Sequence, residues 1–326
     1  KNLSLTKNMK KILIIGSGAM GAAFSIPLMD NNHKVTLSEP YNFKLLKKLS
    51  LKEKFHPALK INLPKKLIIK KFSQDILSFK WDLIVVAVSS IGIDSIGKYL
   101  KEFKKLTPIL VLTKGLKLEK NKVITMSEQL KKSNKKLNIS VLKGPCLAKE
   151  LSRKVKSYTV VANKNLKIAK NIGKIISTNF YRTEYSNDVR GVEFSSAIKN
   201  IYSMIIGSGQ GNNTSSALFR KSVEEMEYLI KFFKGKKETV YGLAGLGDLY
   251  VSAVGGRNSK MGEYLGKGIT FKQAKKRFMR EDTIEGADLA FEIAPYVSKK
   301  ISNKKIPLMI ALLKAITKNN KLKINY

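Results

Sequence analysis

Acidic residues are scarce in this chain: 24 Asp and Glu stand against 62 Lys and Arg, a formal net charge of +38. A single cysteine, Cys146, excludes an intrachain disulfide, and the two histidines, His33 and His56, form no Cys/His cluster that would make a zinc pattern. Long apolar runs are also missing. The longest, Ile306–Leu313, contains Pro307 and is flanked by lysines, well short of the roughly 18 to 20 residues that span a bilayer. The opening KNLSLTKN has no apolar h-region of a signal peptide, so Met9 reads as the natural start, with a disordered extension over residues 1–8. Together these absences point to a globular protein of a reducing cytoplasm, without integral membrane contact.

The excess of basic residues raises nucleic acid or an anionic membrane as a partner, because clustered Lys and Arg bind phosphates by counterion release. The lysines here are instead scattered through nearly every segment and travel with Asn and Ile, the pattern of a compositional bias. No nucleic-acid partner is expected. A basic surface still steers small anionic substrates.

With 326 residues and 43% apolar content, two domains are expected. KKILII at 10–15 stops at GSGAMG, passes into AAFSIPLMDNNH with helical composition ended by Asn31 and Asn32, and returns as KVTL: strand, turn, helix, strand. Further strands are predicted at KLIIK near residue 68, Asp82–Val88, Pro108–Thr113, Ile139–Gly144 and Tyr158–Asn163. Such continuous Val/Ile/Leu runs suit a sheet covered on both faces. The fold class is therefore α/β: a Rossmann-like doubly wound sheet over residues 9–188, followed by an all-α C-terminal domain over 189–326.

Gly16, Gly18 and Gly21, with Ser17, Ala19 and Met20 between them, have the spacing that makes a tight turn, admits a pyrophosphate and lets helix pack on strand. The context of strand and helix strengthens a motif that is weak alone. Glu39 follows the second strand, 18 residues beyond Gly21. There an acid accepts hydrogen bonds from an adenosine ribose, which argues for NAD over NADP; a solvated strand-end acid is the plain alternative. TKGL puts Lys114 at the carboxyl edge of the sheet, and GPCLAKEL reads as a strand end passing into a helix that contains Ala148.

In GVEFSSAIKNI, Val192, Ser195, Ser196 and Lys199 share one helical face. A desolvated lysine there would be tuned for proton transfer; one snorkelling to solvent would not. GLAGLGDLYVSAVGGRN, residues 242–258, sets Asp248, Arg257 and Asn258 among small residues and reads as a loop whose backbone comes close to a small anionic ligand.

GSGAMG, TKGL, GPCLAKEL, GVEFSSAIKN, GLAGLGD, GGRN and the IEG containing Glu285 occur in the order found in the soluble bacterial NAD(P)-dependent glycerol-3-phosphate dehydrogenases, and the chain resembles that family over most of its length. The resemblance implies a cytoplasmic oxidoreductase that reversibly reduces dihydroxyacetone phosphate to sn-glycerol 3-phosphate with a reduced nicotinamide dinucleotide and supplies glycerol phosphate for phospholipid or carbohydrate metabolism, and Glu39 makes NADH the expected cofactor and NADPH the poorer one. The resemblance also implies Lys199 as general acid on the substrate, Lys114 as a second cation on the substrate, and Asp248 orienting Lys199 and contacting the substrate hydroxyl. Ser252, Arg257 and Asn258 would hold the substrate, Arg257 also closing on the cofactor, and Ala148 and Glu285 would line the dinucleotide path. No metal is implied; a homodimer is.

Three places depart from the family: AVSSIGI after the strand at Asp82–Val88, LSEP at the end of the second strand, and a shortened SGQGNNT around 208–214. Hydroxyacid, ketopantoate and pyrroline-carboxylate reductases share the architecture but lack GLAGLGD combined with GGRN. A pseudoenzyme would not be expected to keep Lys114, Lys199, Asp248 and Arg257. KKIPLMIALLKAITKNNKLK could form a cationic amphipathic helix on a phosphate surface, or simply the last packing helix.

Overall fold

The computed structural model describes residues 8–325. The extension expected to be disordered therefore falls, apart from Asn8, outside the described residues. Twelve strands occur among them: β1 (Lys11–Ile15), β2 (Lys34–Glu39), β3 (Phe55–His56), β4 (Ile61–Asn62), β5 (Ile68–Lys71), β6 (Leu83–Val86), β7 (Ile109–Val111), β8 (Leu116–Glu119), β9 (Lys122–Thr125), β10 (Ile139–Lys143), β11 (Ser157–Ala162) and β12 (Tyr181–Ser186). The α-helices are α1 (Ala19–Asp30), α2 (Phe43–Leu49), α3 (Ile93–Leu100), α4 (Met126–Ser133), α5 (Ala148–Ser152), α6 (Leu166–Ile176), α7 (Val189–Gly207), α8 (Asn212–Phe232), α9 (Asp248–Gly255), α10 (Arg257–Gly266), α11 (Phe271–Phe278), α12 (Glu285–Lys300) and α13 (Pro307–Thr317).

The chain divides into two compact units. The first takes residues up to Thr113 together with Met126–Asn187, and the second takes Lys114–Thr125 together with the chain from Asp188 onward. In the first, eight strands form one sheet in the order β12-β11-β10-β7-β6-β1-β2-β5. β1 lies parallel to β2 and β6, and Ile12–Ile15 are fully buried because helices cover both faces. Asn31 caps α1, and Asn32 takes the left-handed conformation that asparagine tolerates, so the helix ends where the two asparagines predict.

Two features depart from the predicted sheet. β11 runs antiparallel to β10, the connection between them carrying only the five-residue α5, so the sheet is mixed. β12, YRTEYS, closes the edge; its polar, half-exposed sequence lacks the apolar run that marks the other strands.

The second unit is built around α7, in which every residue from Gly191 to Ile206 is buried. A helix wrapped on all sides has no solvent-facing polar stripe, and the buried polar residues of α7 are spread along it, which is why its amphipathic signal is poor. Phe194, Ile198, Ile201, Tyr202 and Ile205 pack with residues of α8, α10, α12 and α13, and with Leu116 and Val123 of the β8–β9 hairpin. From Val189 onward every regular element among the described residues is helical. α13, the cationic stretch at the C-terminus, buries Leu308, Met309, Ile310, Leu312 and Leu313 in this core as an ordinary packing helix. Among the described residues, no helix is long and apolar enough to cross a membrane.

Candidate active site

The first unit carries the glycine-rich turn expected to bind a dinucleotide. Gly16 has a φ of +107°, and a Cβ on it would lie 2.6 Å from the Ala87 carbonyl oxygen, so glycine is required by both conformation and space. At Gly21 an added Cβ would lie 2.0 Å from the Gly16 carbonyl oxygen: this is the close packing of α1 on the turn. Gly18 differs. Its φ is −58° and a Cβ there would meet nothing within 4 Å. That open space lies at the N-cap of α1, which carries no side-chain cap, with Ala19 and Met20 beginning the first turn. Helix N-termini expose N–H groups without intrahelical partners, so the space fits the pyrophosphate of a dinucleotide.

Glu39 ends β2 as predicted, but its carboxylate faces inward. Oε2 accepts from the backbone N–H of Ser17 at 2.8 Å and from its hydroxyl, and Oε1 accepts from the N–H groups of Tyr41 at 2.8 Å and Asn42 at 2.9 Å. Burial by itself raises the Glu39 pKa, but these four donors, the Ser17 hydroxyl foremost, hold it below the ordinary carboxylate value. Both carboxylate oxygens of the residue expected to accept from a ribose are thus engaged by donors of the protein. Ala148 opens α5 and packs against the core of the first unit. Sequence reasoning missed Lys143. Buried at the end of β10, it donates to the carbonyl oxygens of Val111 and Leu112, each at 3.3 Å, and of Thr113 at 2.7 Å.

In the second unit the structure brings Lys114, Lys199, Asp248 and Ser252 together. Lys199 sits midway along buried α7 and is 5% exposed. GLAGLG is not a loop: Leu243–Gly247 makes a π-helical turn that leads into α9 at Asp248. Gly245 serves packing within the protein, since a Cβ on it would lie 2.1 Å from the Val240 carbonyl oxygen. Asp248 and Ser252, four residues apart on α9, share a face and both meet Lys199. The Lys199 ammonium donates to Asp248 Oδ1 at 2.8 Å and to the Ser252 hydroxyl oxygen. Lys114 donates to Asp248 Oδ2 at 2.6 Å, and the Ser196 hydroxyl approaches the same oxygen at 3.4 Å.

The charges act on one another. Burial, reinforced by the Lys114 cation, pulls the Lys199 pKa below the ordinary ammonium value against the attraction of Asp248. For Asp248, burial opposes ionisation, but Lys114 and Lys199 outweigh it and hold the carboxyl below its usual range. The result is two cations bridged by one anion, with Lys114 the more exposed cation. A net positive cluster suits an anionic substrate.

Arg257 and Asn258, adjacent in sequence, part ways. Arg257 is the first residue of α10, whose N-terminus has no side-chain cap; its guanidinium is half-exposed and stands 3.8 Å from Glu285. Asn258 is buried: its amide oxygen accepts from the Gly286 N–H at 3.0 Å and its amide nitrogen donates to Asn200 Oδ1 at 3.1 Å. Asn200 in turn donates to Glu285 Oε2 at 3.2 Å. Asn258 thus ties α7, α10 and the start of α12 together, and Glu285 belongs to that network. Small residues permit the approach: a Cβ on Gly262 would lie 2.0 Å from the Met204 carbonyl oxygen, and one on Gly286 would lie 2.5 Å from that of Asn200. Arg220, in α8, pairs with Glu224 one turn on and is exposed.

Residues 11–169 match the family described as NAD-dependent glycerol-3-phosphate dehydrogenase N-terminus, and residues 188–324 match its C-terminus counterpart. The NADP(+)-dependent glycerol-3-phosphate dehydrogenase of Archaeoglobus fulgidus is 29% identical over 306 residues, covering 89% of this chain and 90% of the relative. The NAD(P)+ glycerol-3-phosphate dehydrogenase of Fusobacterium nucleatum is 32% identical over 278 residues, covering 82% of each. The crystal structure of glycerol-3-phosphate dehydrogenase from Coxiella burnetii has the same fold, with a TM-score of 0.82 at 24% identity over 96% of each chain.

Proposed function

The chain belongs to the NAD-dependent glycerol-3-phosphate dehydrogenase family, and from that premise we propose that it interconverts dihydroxyacetone phosphate and sn-glycerol 3-phosphate with Lys199 as the proton-transferring group. The observation that supports this reading best is the buried Lys114–Asp248–Lys199 cluster. A reduced nicotinamide dinucleotide, NADH or NADPH, would supply hydride to the carbonyl carbon, and the turn at Gly16–Gly21 would hold its pyrophosphate. As that C–H bond forms, the carbonyl oxygen gains the electron pair of the C=O π bond and with it negative charge. The Lys199 ammonium delivers a proton to this oxygen and is left as a neutral amine, a transfer favoured by its lowered pKa. Lys114 remains charged and stabilises the developing alkoxide, an effect for which one well-placed donor is worth about 3 kcal/mol of barrier. Asp248 holds both lysines and stays ionised throughout. In the reverse direction the Lys199 amine takes the hydroxyl proton.

The substrate phosphate is assigned to Arg257 and the N-terminus of α10, which offer a guanidinium and N–H groups to one anion. Asn258 acts by fixing that helix start. The test compares dihydroxyacetone phosphate with dihydroxyacetone in Arg257→Ala. The expected result is a KM for the phosphorylated substrate raised by about tenfold or more, with no comparable change for the unphosphorylated one. Equal effects on both substrates would remove Arg257 from phosphate binding.

A further inference from the structure

We propose that Glu39, together with His56, forms a buried clamp on Ser17 that shapes the dinucleotide turn, and that this carboxylate therefore does not select NADH over NADPH. The inference rests on the cofactor-binding reading above and concerns how the turn is held.

An ionised carboxylate has about four lone-pair directions. In Glu39 all four are matched by donors of the protein: the Ser17 N–H and hydroxyl on one oxygen, the Tyr41 and Asn42 N–H groups on the other. A residue that reads the ribose must offer free lone pairs to its hydroxyls, and here they are already occupied. Glu39 is 4% exposed, and Ser17 and His56 are each 1% exposed. The third polar group of Ser17, its carbonyl oxygen, lies 3.0 Å from His56 Nε2. The N–H of Leu59 points at His56 Nδ1 at 3.3 Å, so the ring hydrogen is on Nε2 and donates to Ser17. Ser17 is thereby gripped from the end of β2 and from the β3–β4 hairpin.

Ser17 stands between Gly16, which sets the turn, and Gly18, whose open side fits the pyrophosphate. The clamp thus acts on the part of the turn that meets a group common to both cofactors. Loosening it weakens both alike. A carboxylate facing the ribose would behave differently, repelling the 2′-phosphate of NADPH and binding the 2′-hydroxyl of NADH. The exposed charge opposite Glu39 in the β2–β5 register is a cation, Lys71, which also gives no reason to reject a 2′-phosphate.

The experiment is titration of NADH and NADPH, by nicotinamide fluorescence or calorimetry, into the full-length protein and its Glu39→Gln variant, well below the melting temperature of each. Glutamine keeps the size but turns an NH2 group towards two N–H donors. The expected result is a rise of about tenfold in Kd for both cofactors, with the ratio of the two within about twofold of that in the unaltered protein. Faster amide exchange at Ser17, Tyr41 and Asn42 should accompany it. Ser17→Ala, which removes only the hydroxyl, should shift both Kd values in the same direction by about threefold, and serves if Glu39→Gln does not fold. A loss of NADH binding alone, or a gain of NADPH binding, would overturn the clamp in favour of a ribose reader. Unchanged Kd values for both would overturn it as well. Failure of the unaltered protein to bind either cofactor would instead remove the dehydrogenase reading on which the inference stands.

Discussion

The ammonium of Lys199 is held 2.8 Å from Asp248 Oδ1, inside a helix that is buried along almost its whole length. The same carboxylate takes Lys114 on its other oxygen, so one anion bears on the protonation of Lys199 and on the position of the second cation. Asp248→Asn removes the charge that favours the Lys199 ammonium. The Lys199 pKa then falls further, and the alkaline limb of kcat for ketone reduction moves to lower pH. Near-neutral kcat should drop by about a hundredfold. A pH profile unchanged from that of the unaltered protein would separate Asp248 from the proton chemistry.

Lys199→Ala should lower kcat for reduction by about a thousandfold while the Kd for the reduced cofactor stays within about twofold. Stopped turnover together with intact cofactor titration is the expected pair of observations. Near-normal turnover would assign the proton to another group.

Gly18 and Gly21 offer a contrast that depends on space alone. Gly18→Ala adds a methyl group to an open position in an ordinary helical-entry conformation, so the melting temperature should hold while cofactor Kd rises by about tenfold or more. Gly21→Ala forces a methyl group against the Gly16 carbonyl oxygen and should cost about 2 kcal/mol of stability. Chemical denaturation and cofactor titration of both variants check this. Equal loss of binding and stability in both would contradict the roles given to these two glycines.

Acid stability follows from the two depressed carboxyl groups. Asp248 and Glu39 both bind their proton more weakly in the folded protein than when unfolded. Their contribution is complete above the unfolded values near 4 and is lost as pH falls through the folded values. Urea midpoints measured from about pH 5 down to about pH 2 should therefore fall, and Asp248→Asn should flatten that dependence although it weakens the fold at neutral pH.

The sequence made legible those features that depend on local pattern. The apolar runs of β1, β2, β6, β7, β10 and β11 are visible as runs, the glycine spacing marks the turn, and Asn31 and Asn32 mark the end of α1. β12 was hidden because an edge strand with a polar sequence has no such signal. The helical course of GLAGLGDLYVSAV was hidden because its glycines suggested a loop, whereas Gly245 is there to let the π turn pack on the Val240 carbonyl.

Lys143 and the inward turn of Glu39 share another cause. Among 62 basic residues nothing in the sequence distinguishes the buried lysine that donates to the carbonyl groups of Val111, Leu112 and Thr113. An acid after the second strand looks the same whether it faces a ribose or the serine of its own turn. Pairings of that kind depend on residues distant in sequence, Ser17 with Glu39 and Asn258 with Asn200 and Gly286, and become visible only once the backbone is placed.

The central claim is that this chain is a dehydrogenase acting on a phosphorylated ketone. Its most direct test is the absorbance of the reduced nicotinamide in a mixture of the purified protein, dihydroxyacetone phosphate and either NADH or NADPH. The account predicts an absorbance decrease that requires the ketone and is nearly abolished in Lys199→Ala. No decrease with either cofactor, or one that persists in full without Lys199, would contradict it.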